Sequence, residues 1–411
     1  MVKLSGRNRA LNEFSVERVD EETEQNLVML HGYGAGLGFF YKNFEALSRA
    51  PGWKVYALDL LGMGRSSRPP FRIHSKDRQA SITEAENWFI DALEEWRIEK
   101  KIDRFTLLGH SLGGYMAVAY ALKYPGHLNK LVLASPVGIP EDPYAVNAAM
   151  PDPAESNLAD EIEKDQGEII NGSDTSLPNG VKSGDNNNFL NARSKAKEAG
   201  KPGDKTPPRK PLPKWLTYLW DANISPFSIV RWAGPLGPRF VSGWTSRRFS
   251  HLDADEAQAL HTYAYTLFKQ RGSGEYALAY ILAPGAFARS PLIRRIGGVG
   301  RQMIQRDGST TSSLASTAQQ RERPYPVIFM YGENDWMDIA GGYAAEQKLK
   351  EEKERIKKAE EMAKDEGSAK VIVIKKAGHH VYLDGWDEFN QVMRKEMDEV
   401  SRREKRKQDA M

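Results

Sequence analysis

Cysteine is absent from all 411 residues. That removes disulfides, thiolate nucleophiles and cysteine-ligated zinc or iron–sulfur centres in one step. Long apolar runs are missing too. Stretches such as Tyr280–Phe287 and Lys370–Ile374 fall far short of the roughly 20 residues that cross a bilayer. Charge of one sign is equally scarce: 58 basic residues against 55 acidic ones leave +3, too little for a global field that would gather nucleic acid. The mildly basic start, Met1 to Arg9, turns acidic by Asp20–Glu24, unlike an Arg-rich, acid-poor transit peptide. A glycine-rich run at His31–Gly38 lacks the G-x-G-x-x-G spacing, because the third position falls on Leu37, Phe39 or Tyr41. Neither a dinucleotide fingerprint nor a P-loop is present, and no cofactor or metal is expected.

What is present is material for a large core: 40% hydrophobic residues and nine Trp. Short apolar runs alternate with helical patterns, the mark of a wound α/β sheet. Strands are expected at Leu27–His31, Trp53–Leu58, Phe105–Leu108, Leu128–Ala134, Tyr325–Tyr331 and Lys370–Ile374. Helices are expected at Ser81–Lys100, with Phe89, Leu93 and Trp96 on one side, and from Leu112 to Tyr124. The chain divides into a first core segment (1–140), a low-complexity insertion (152–213), an aromatic-rich helical lid (214–296) and a second core segment (324–411). The insertion is rich in Asn, Gly, Lys and Pro and has no hydrophobic period. The lid carries Trp215, Tyr218, Trp220, Phe227, Trp232, Phe240 and Trp244, interleaved with arginines, and is read as a membrane-docking surface. Tyr343–Lys364 reads as a solvated charged helix. The basic tail after Ser401 reads as a helix end.

Gly109-His110-Ser111-Leu112-Gly113 is the strongest local signal. A G-x-S-x-G between a strand and a helix makes a sharp turn that lifts the serine hydroxyl above the sheet. Such a serine needs a base, and the base needs a carboxylate to orient it. Late strands supply both in the order Ser, Asp, His. Asp335 follows Tyr325–Tyr331, with Asp338 as competitor. His379 follows Lys370–Ile374, with His380 as competitor. The oxyanion of a tetrahedral intermediate would take the backbone N–H groups of Leu112 and Tyr33. His31 is expected to pack beneath that loop.

These motifs carry a resemblance. His31-Gly-Tyr-Gly-Ala-Gly-Leu-Gly, Asp59-Leu-Leu-Gly-Met-Gly-Arg-Ser-Ser-Arg-Pro and the elbow resemble one lipid-acting subfamily of the α/β-hydrolases. So do Gly274-Glu275, Pro291, Asp335-Trp-Met-Asp338 and Gly378-His-His-Val-Tyr-Leu-Asp384. That subfamily holds the fungal mitochondrial cardiolipin-specific deacylase, the animal lysophospholipase of N-acyl phosphatidylethanolamines and a lipid-droplet lipase coactivator. The coactivator has Asn at the elbow, so with Ser111 this chain resembles the catalytic members. The resemblance implies an α/β-hydrolase fold with mostly parallel sheet and inserted lid. It implies hydrolysis of a phospholipid acyl ester, and a peripheral site on the mitochondrial inner membrane. The alternatives are acyl transfer to a lysophospholipid, suggested by the family's His-x-x-x-x-Asp pattern at His379–Asp384, or a non-catalytic coactivator role.

Overall fold

The computed structural model describes residues 1–141, 220, 223–249, 252–283, 287–304, 320–360 and 367–409. The insertion read at 152–213 lies outside them. Seven strands form one sheet: β1 (Glu13–Val16), β2 (Gln25–Leu30), β3 (Trp53–Leu58), β4 (Phe105–His110), β5 (Leu128–Ala134), β6 (Val327–Gly332) and β7 (Ala369–Ile374). Their order is β7-β6-β5-β4-β2-β3-β1. All pairings are parallel except β1 against β3. Every strand expected from the sequence is present, its ends moved by at most two residues. The antiparallel edge strand β1 was not legible: four residues, Glu-Phe-Ser-Val, none of them fully buried.

Period-two alternation sorts the strand side chains into two half-cores. Val28 and Leu30 join Phe89, Leu93 and Trp96 of α1 (Arg78–Glu99) and Met116 and Tyr120 of α2 (Leu112–Lys123). Leu27 and Met29 point the other way, toward Phe39, Phe40 and the C-terminal helix with Met393 and Met397. Helix α1 begins where it does because the Asp77 side chain accepts from the Ala80 N–H at 2.8 Å, a cap worth about 1 kcal/mol. Its apolar stripe at Phe89, Leu93 and Trp96 follows the i, i+4, i+7 rule, and Trp96 is fully buried.

The register decides where function can sit. Leu30 pairs with Leu58 and Gly109, His110 with Ala134, Met330 with Ala134 and Gly332 with Ile374. The carboxyl ends of the strands therefore finish level, and the loops after them meet at one edge, where open α/β sheets place their ligands.

Three helices between β5 and β6 cover that edge: α3 (Pro226–Trp232), α4 (Gly237–Arg248) and α5 (Ala254–Phe268). Tyr263 of α5 accepts from the Gly38 N–H at 3.1 Å. The lid aromatics divide in a way that corrects the sequence reading. Phe227 lies stacked between Tyr33 and Phe268, with centroids at 5.0 and 4.4 Å, and Trp220 Nε1 donates to the Leu282 carbonyl at 3.2 Å. Both pack inward. Trp232 is 75% exposed. Trp215 and Tyr218, and the side chains of Phe240 and Trp244, lie outside the described residues.

Helix α6 (Ile339–Glu360) carries exposed ion pairs such as Lys350–Glu346 at 2.6 Å, while Ala345 and Leu349 face the core. The basic tail belongs to α7 (Trp386–Asp409). It is tied down rather than merely solvated, because Glu404 pairs with Arg104 at 2.9 Å and Arg403 donates to the Asn129 carbonyl.

Candidate active site

Ser111 sits between β4 and α2 with φ +51° and ψ −115°, a region that costs a non-glycine residue on the order of 1–3 kcal/mol. Its surroundings hold it there. The Ser111 N–H donates to Ala134 O at 2.9 Å, and its carbonyl accepts from Gly114, Tyr115 and Val137. The flanking glycines are obligatory by contact. A Cβ on Gly109 would stand 2.3 Å from Gly113 O, and one on Gly113 would stand 2.6 Å from Leu30 O. The turn is thus possible only because strand and helix touch backbone to backbone.

His379, in the loop after β7, meets Asp335, in the loop after β6. Asp335 Oδ1 accepts from His379 Nδ1 and from the Met337 N–H, both at 3.0 Å. Both side chains are almost wholly buried, and the Trp336 ring lies against His379 with centroids 4.5 Å apart. The competitors are engaged elsewhere. Asp338 is exposed and caps α6 through the Ala340 N–H at 2.9 Å. His380 Nε2 accepts from Arg248 Nε at 2.6 Å, and its Nδ1 meets Tyr382 Oη at 2.8 Å. Asp384 accepts from the Gly378 N–H at 3.1 Å, bracing the loop that carries His379.

His110 joins the elbow to this loop. Its Nε2 donates to the His379 carbonyl at 3.0 Å. Burial, with His379 alongside, pushes its pKa well below the usual imidazole value and keeps it neutral. The structure therefore sets Ser111 one residue from a side chain that holds His379 by its backbone.

The loop after β2 closes the other side. A Cβ on Gly32 would lie 2.9 Å from His110 Nδ1 and 3.0 Å from Ser111 Cβ, so this backbone runs directly against the serine. Among the described residues neither Tyr33 N–H nor Leu112 N–H has a hydrogen-bond acceptor, and Leu112 stands at the positive end of α2. His31 packs beneath, as expected. Its Nε2 accepts from the Leu60 N–H at 3.1 Å and its Nδ1 meets Gly32 O at 2.7 Å. Burial lowers its pKa.

Two supports escaped sequence reasoning. Asp59, fully buried, accepts from Asn12 Nδ2 (2.8 Å), the Leu37 N–H (2.7 Å) and the Arg65 N–H (2.9 Å), tying three loops to one carboxylate. Its signal was the Asp-x-x-Gly-x-Gly run, because a Cβ on Gly64 would overlap the Asp59 carboxyl group. Glu275 receives Arg231 of α3 at 2.7 Å. The pair faces the Tyr33 ring, whose hydroxyl burial keeps protonated.

Fold and sequence together define the class: residues 25–385 match the family described as alpha/beta hydrolase fold, and the chain belongs to that family. Several of its relatives carry lipid-acting names. A 1-acylglycerol-3-phosphate O-acyltransferase of Arabidopsis thaliana is 31% identical over 89% of this chain, which spans 64% of that protein's length. The 1-acylglycerol-3-phosphate O-acyltransferase ABHD5 of Mus musculus is 29% identical, with 95% and 81% covered. A (lyso)-N-acylphosphatidylethanolamine lipase of Bos taurus is 26% identical, with 91% and 79% covered. A thermophilic esterase from Thermogutta terrifontis shares the fold at a TM-score of 0.50 and 14% identity, with 97% of both chains covered.

Proposed function

We propose that the protein is a serine acyl hydrolase that cleaves an acyl ester of a phospholipid, in the manner of a cardiolipin-type deacylase. The observation that carries the reading is the Asp335–His379 contact at 3.0 Å beside the strained Ser111 elbow. In the proposed mechanism Ser111 Oγ attacks the ester carbonyl and His379 Nε2 takes its proton. Asp335 holds Nδ1–H and stabilises the imidazolium. The N–H groups of Tyr33 and Leu112 receive the oxyanion. Collapse expels the lysophospholipid alkoxide, which takes the proton from His379. Water then attacks the acyl-enzyme by the same path, releasing the fatty acid and restoring Ser111. The lipase-named relative supports a phospholipid substrate.

Among the described residues no helix is long and apolar enough to cross a membrane, and the proposed enzyme works peripherally. Trp232 and Leu236, 75% and 58% exposed, are the proposed contact. Resemblance points to the mitochondrial inner membrane, which cell fractionation checks.

Covalent labelling by a fluorophosphonate, with fatty-acid release from phospholipid vesicles, tests the reading. Both should vanish in Ser111→Ala at an unchanged melting temperature; label retained elsewhere with activity intact sinks it. The acyltransferase-named relatives favour a second reading, in which a lysophospholipid hydroxyl replaces water. Supplying lysophosphatidate during turnover distinguishes the two by the ratio of acylated acceptor to free fatty acid.

A further inference from the structure

No hydrogen bond joins nucleophile and base directly: among the described residues neither Ser111 Oγ nor His379 Nε2 has a partner. Such pairs often tighten only when substrate binds, so their alignment rests on whatever fixes the two loops. Three bonds hold the His379 loop. Asp384 accepts from the Gly378 N–H at 3.1 Å, a bond within the loop itself. Asp335 accepts from His379 Nδ1 at 3.0 Å and links the ring to the loop after β6. The third comes from His110, whose Nε2 donates to the His379 carbonyl at 3.0 Å.

Neither of the first two bonds reaches the elbow. The third starts one residue from the nucleophile, so the spacing between Ser111 and His379 is set through one peptide link and one side chain. That side chain is itself confined. The His110 ring is fully buried and packs on the rings of His379, His380 and Tyr382, with centroids at 4.8, 4.9 and 4.9 Å. On another side the Gly32 backbone comes so close that a Cβ would stand 2.9 Å from His110 Nδ1. Nδ1 is buried and has no partner among the described residues. A proton there would be a buried donor without an acceptor, at a cost on the order of 1–3 kcal/mol. The ring therefore keeps its single proton on Nε2, the nitrogen that reaches His379.

We infer that His110 is a positioning residue: its Nε2–H holds the His379 backbone so that the imidazole stays in line with Ser111 Oγ for proton transfer. It acts through His379 and exchanges no proton with the reacting atoms. The inference rests on the hydrolase reading above and deepens it, giving the residue between Gly109 and Ser111 a part in aligning the base. A misplacement of about 1 Å in such an arrangement costs about 10²-fold in rate, which sets the size of the expected effect.

The test compares His110→Asn with His110→Gln in the full chain, on p-nitrophenyl hexanoate. A glutamine amide nitrogen can take the place of Nε2 and donate to the His379 carbonyl, whereas an asparagine amide is too short. Asn should lower kcat about 10- to 100-fold with KM changed less than about threefold, and Gln should recover most of the loss. His110→Asn combined with His379→Ala should cost little more than His379→Ala alone, because the group through which His110 acts is gone. Equal kcat in His110→Asn and wild type, or losses that add in the double variant, overturns the inference. Where Asn does not fold, His110→Leu, which lacks the donor, replaces it under the same criteria. The proton between His379 Nδ1 and Asp335 gives a readout independent of activity. Its downfield NMR signal should weaken through exchange with water in His110→Asn and persist in His110→Gln. If wild type hydrolyses no ester, the hydrolase reading fails by itself, and an unchanged signal in His110→Asn still overturns the inference.

Discussion

Replacing Asp335 by Asn is the sharpest test of the proposed chemistry, because the structure fixes what the amide would meet. Asp335 Oδ1 faces two N–H donors, His379 Nδ1 and the Met337 backbone, each at 3.0 Å. An asparagine that kept its oxygen there would turn its NH2 toward the position of Oδ2, which is buried and has no partner among the described residues. The reverse orientation would set NH2 against Nδ1 and force the proton onto Nε2, the nitrogen that must accept from Ser111. Either way the negative charge that stabilises the imidazolium is gone.

The expected loss in kcat is about 10³–10⁴-fold, by analogy with other triads, or roughly 4–5.5 kcal/mol at 1.36 kcal/mol per decade. A soluble short-chain ester is the substrate of choice, since it keeps membrane binding out of the measurement. Asp338→Asn is the control. That residue caps α6 from the surface, so its loss should cost at most about 1 kcal/mol of stability and leave kcat within a few-fold. A kcat for Asp335→Asn within about tenfold of wild type, or a larger loss in Asp338→Asn, refutes the assignment.

The remaining predictions concern stability, transfer and docking. Glu322 accepts from the Gly126 N–H at 2.8 Å, but its Oε2 is buried without a partner among the described residues, and burial pushes its pKa up to about 7. An acid raised in the folded state costs nothing while protonated in both states. The cost grows as pH climbs from about 4.5 to 7, so Glu322→Gln should raise stability at pH 8 by about 2–3 kcal/mol and hardly alter it at pH 4.5, as denaturant titration will show. Asp384→Asn should lower fatty-acid release and acyl transfer together, because the carboxylate braces Gly378; selective loss of transfer would give it a role in acceptor chemistry. Trp232→Ala should weaken vesicle binding and spare turnover of a soluble ester; equal loss on both would mark Trp232 as structural.

Much of this site was legible in the sequence because each element announces itself locally. Ser111 lies between two glycines that contact forbids from bearing a Cβ, and that constraint is written in five consecutive residues. Asp335 and His379 follow strands of largely apolar character, and parallel strands that finish level bring their loops together. Choosing Asp335 over Asp338 required more, since both stand in one loop and only the fold reveals that one turns inward while the other caps a helix. The Arg231–Glu275 pair and the Tyr263–Gly38 contact, 225 residues apart, have no local signature at all. Edge strand β1 was missed for the opposite reason, because its residues are half exposed and carry no run of apolar side chains.

The lid aromatics show why composition alone misplaced single residues. Phe227 looked like a docking residue by its neighbours in sequence, yet its ring is held between Tyr33 and Phe268. Each such stack contributes about 0.5–1.5 kcal/mol beyond area burial, so α3 and α5 are fastened to the loop after β2. Tyr33 thereby carries two loads. Its ring anchors the lid, while its backbone N–H, one residue from the Gly32 contact with Ser111, is the proposed oxyanion donor. A shift of α3 is passed through that residue toward the serine. The lid and the proposed chemistry are therefore joined at this side chain, as they are where Arg248 of α4 meets His380, and a membrane that moved α3 would act directly on the oxyanion loop.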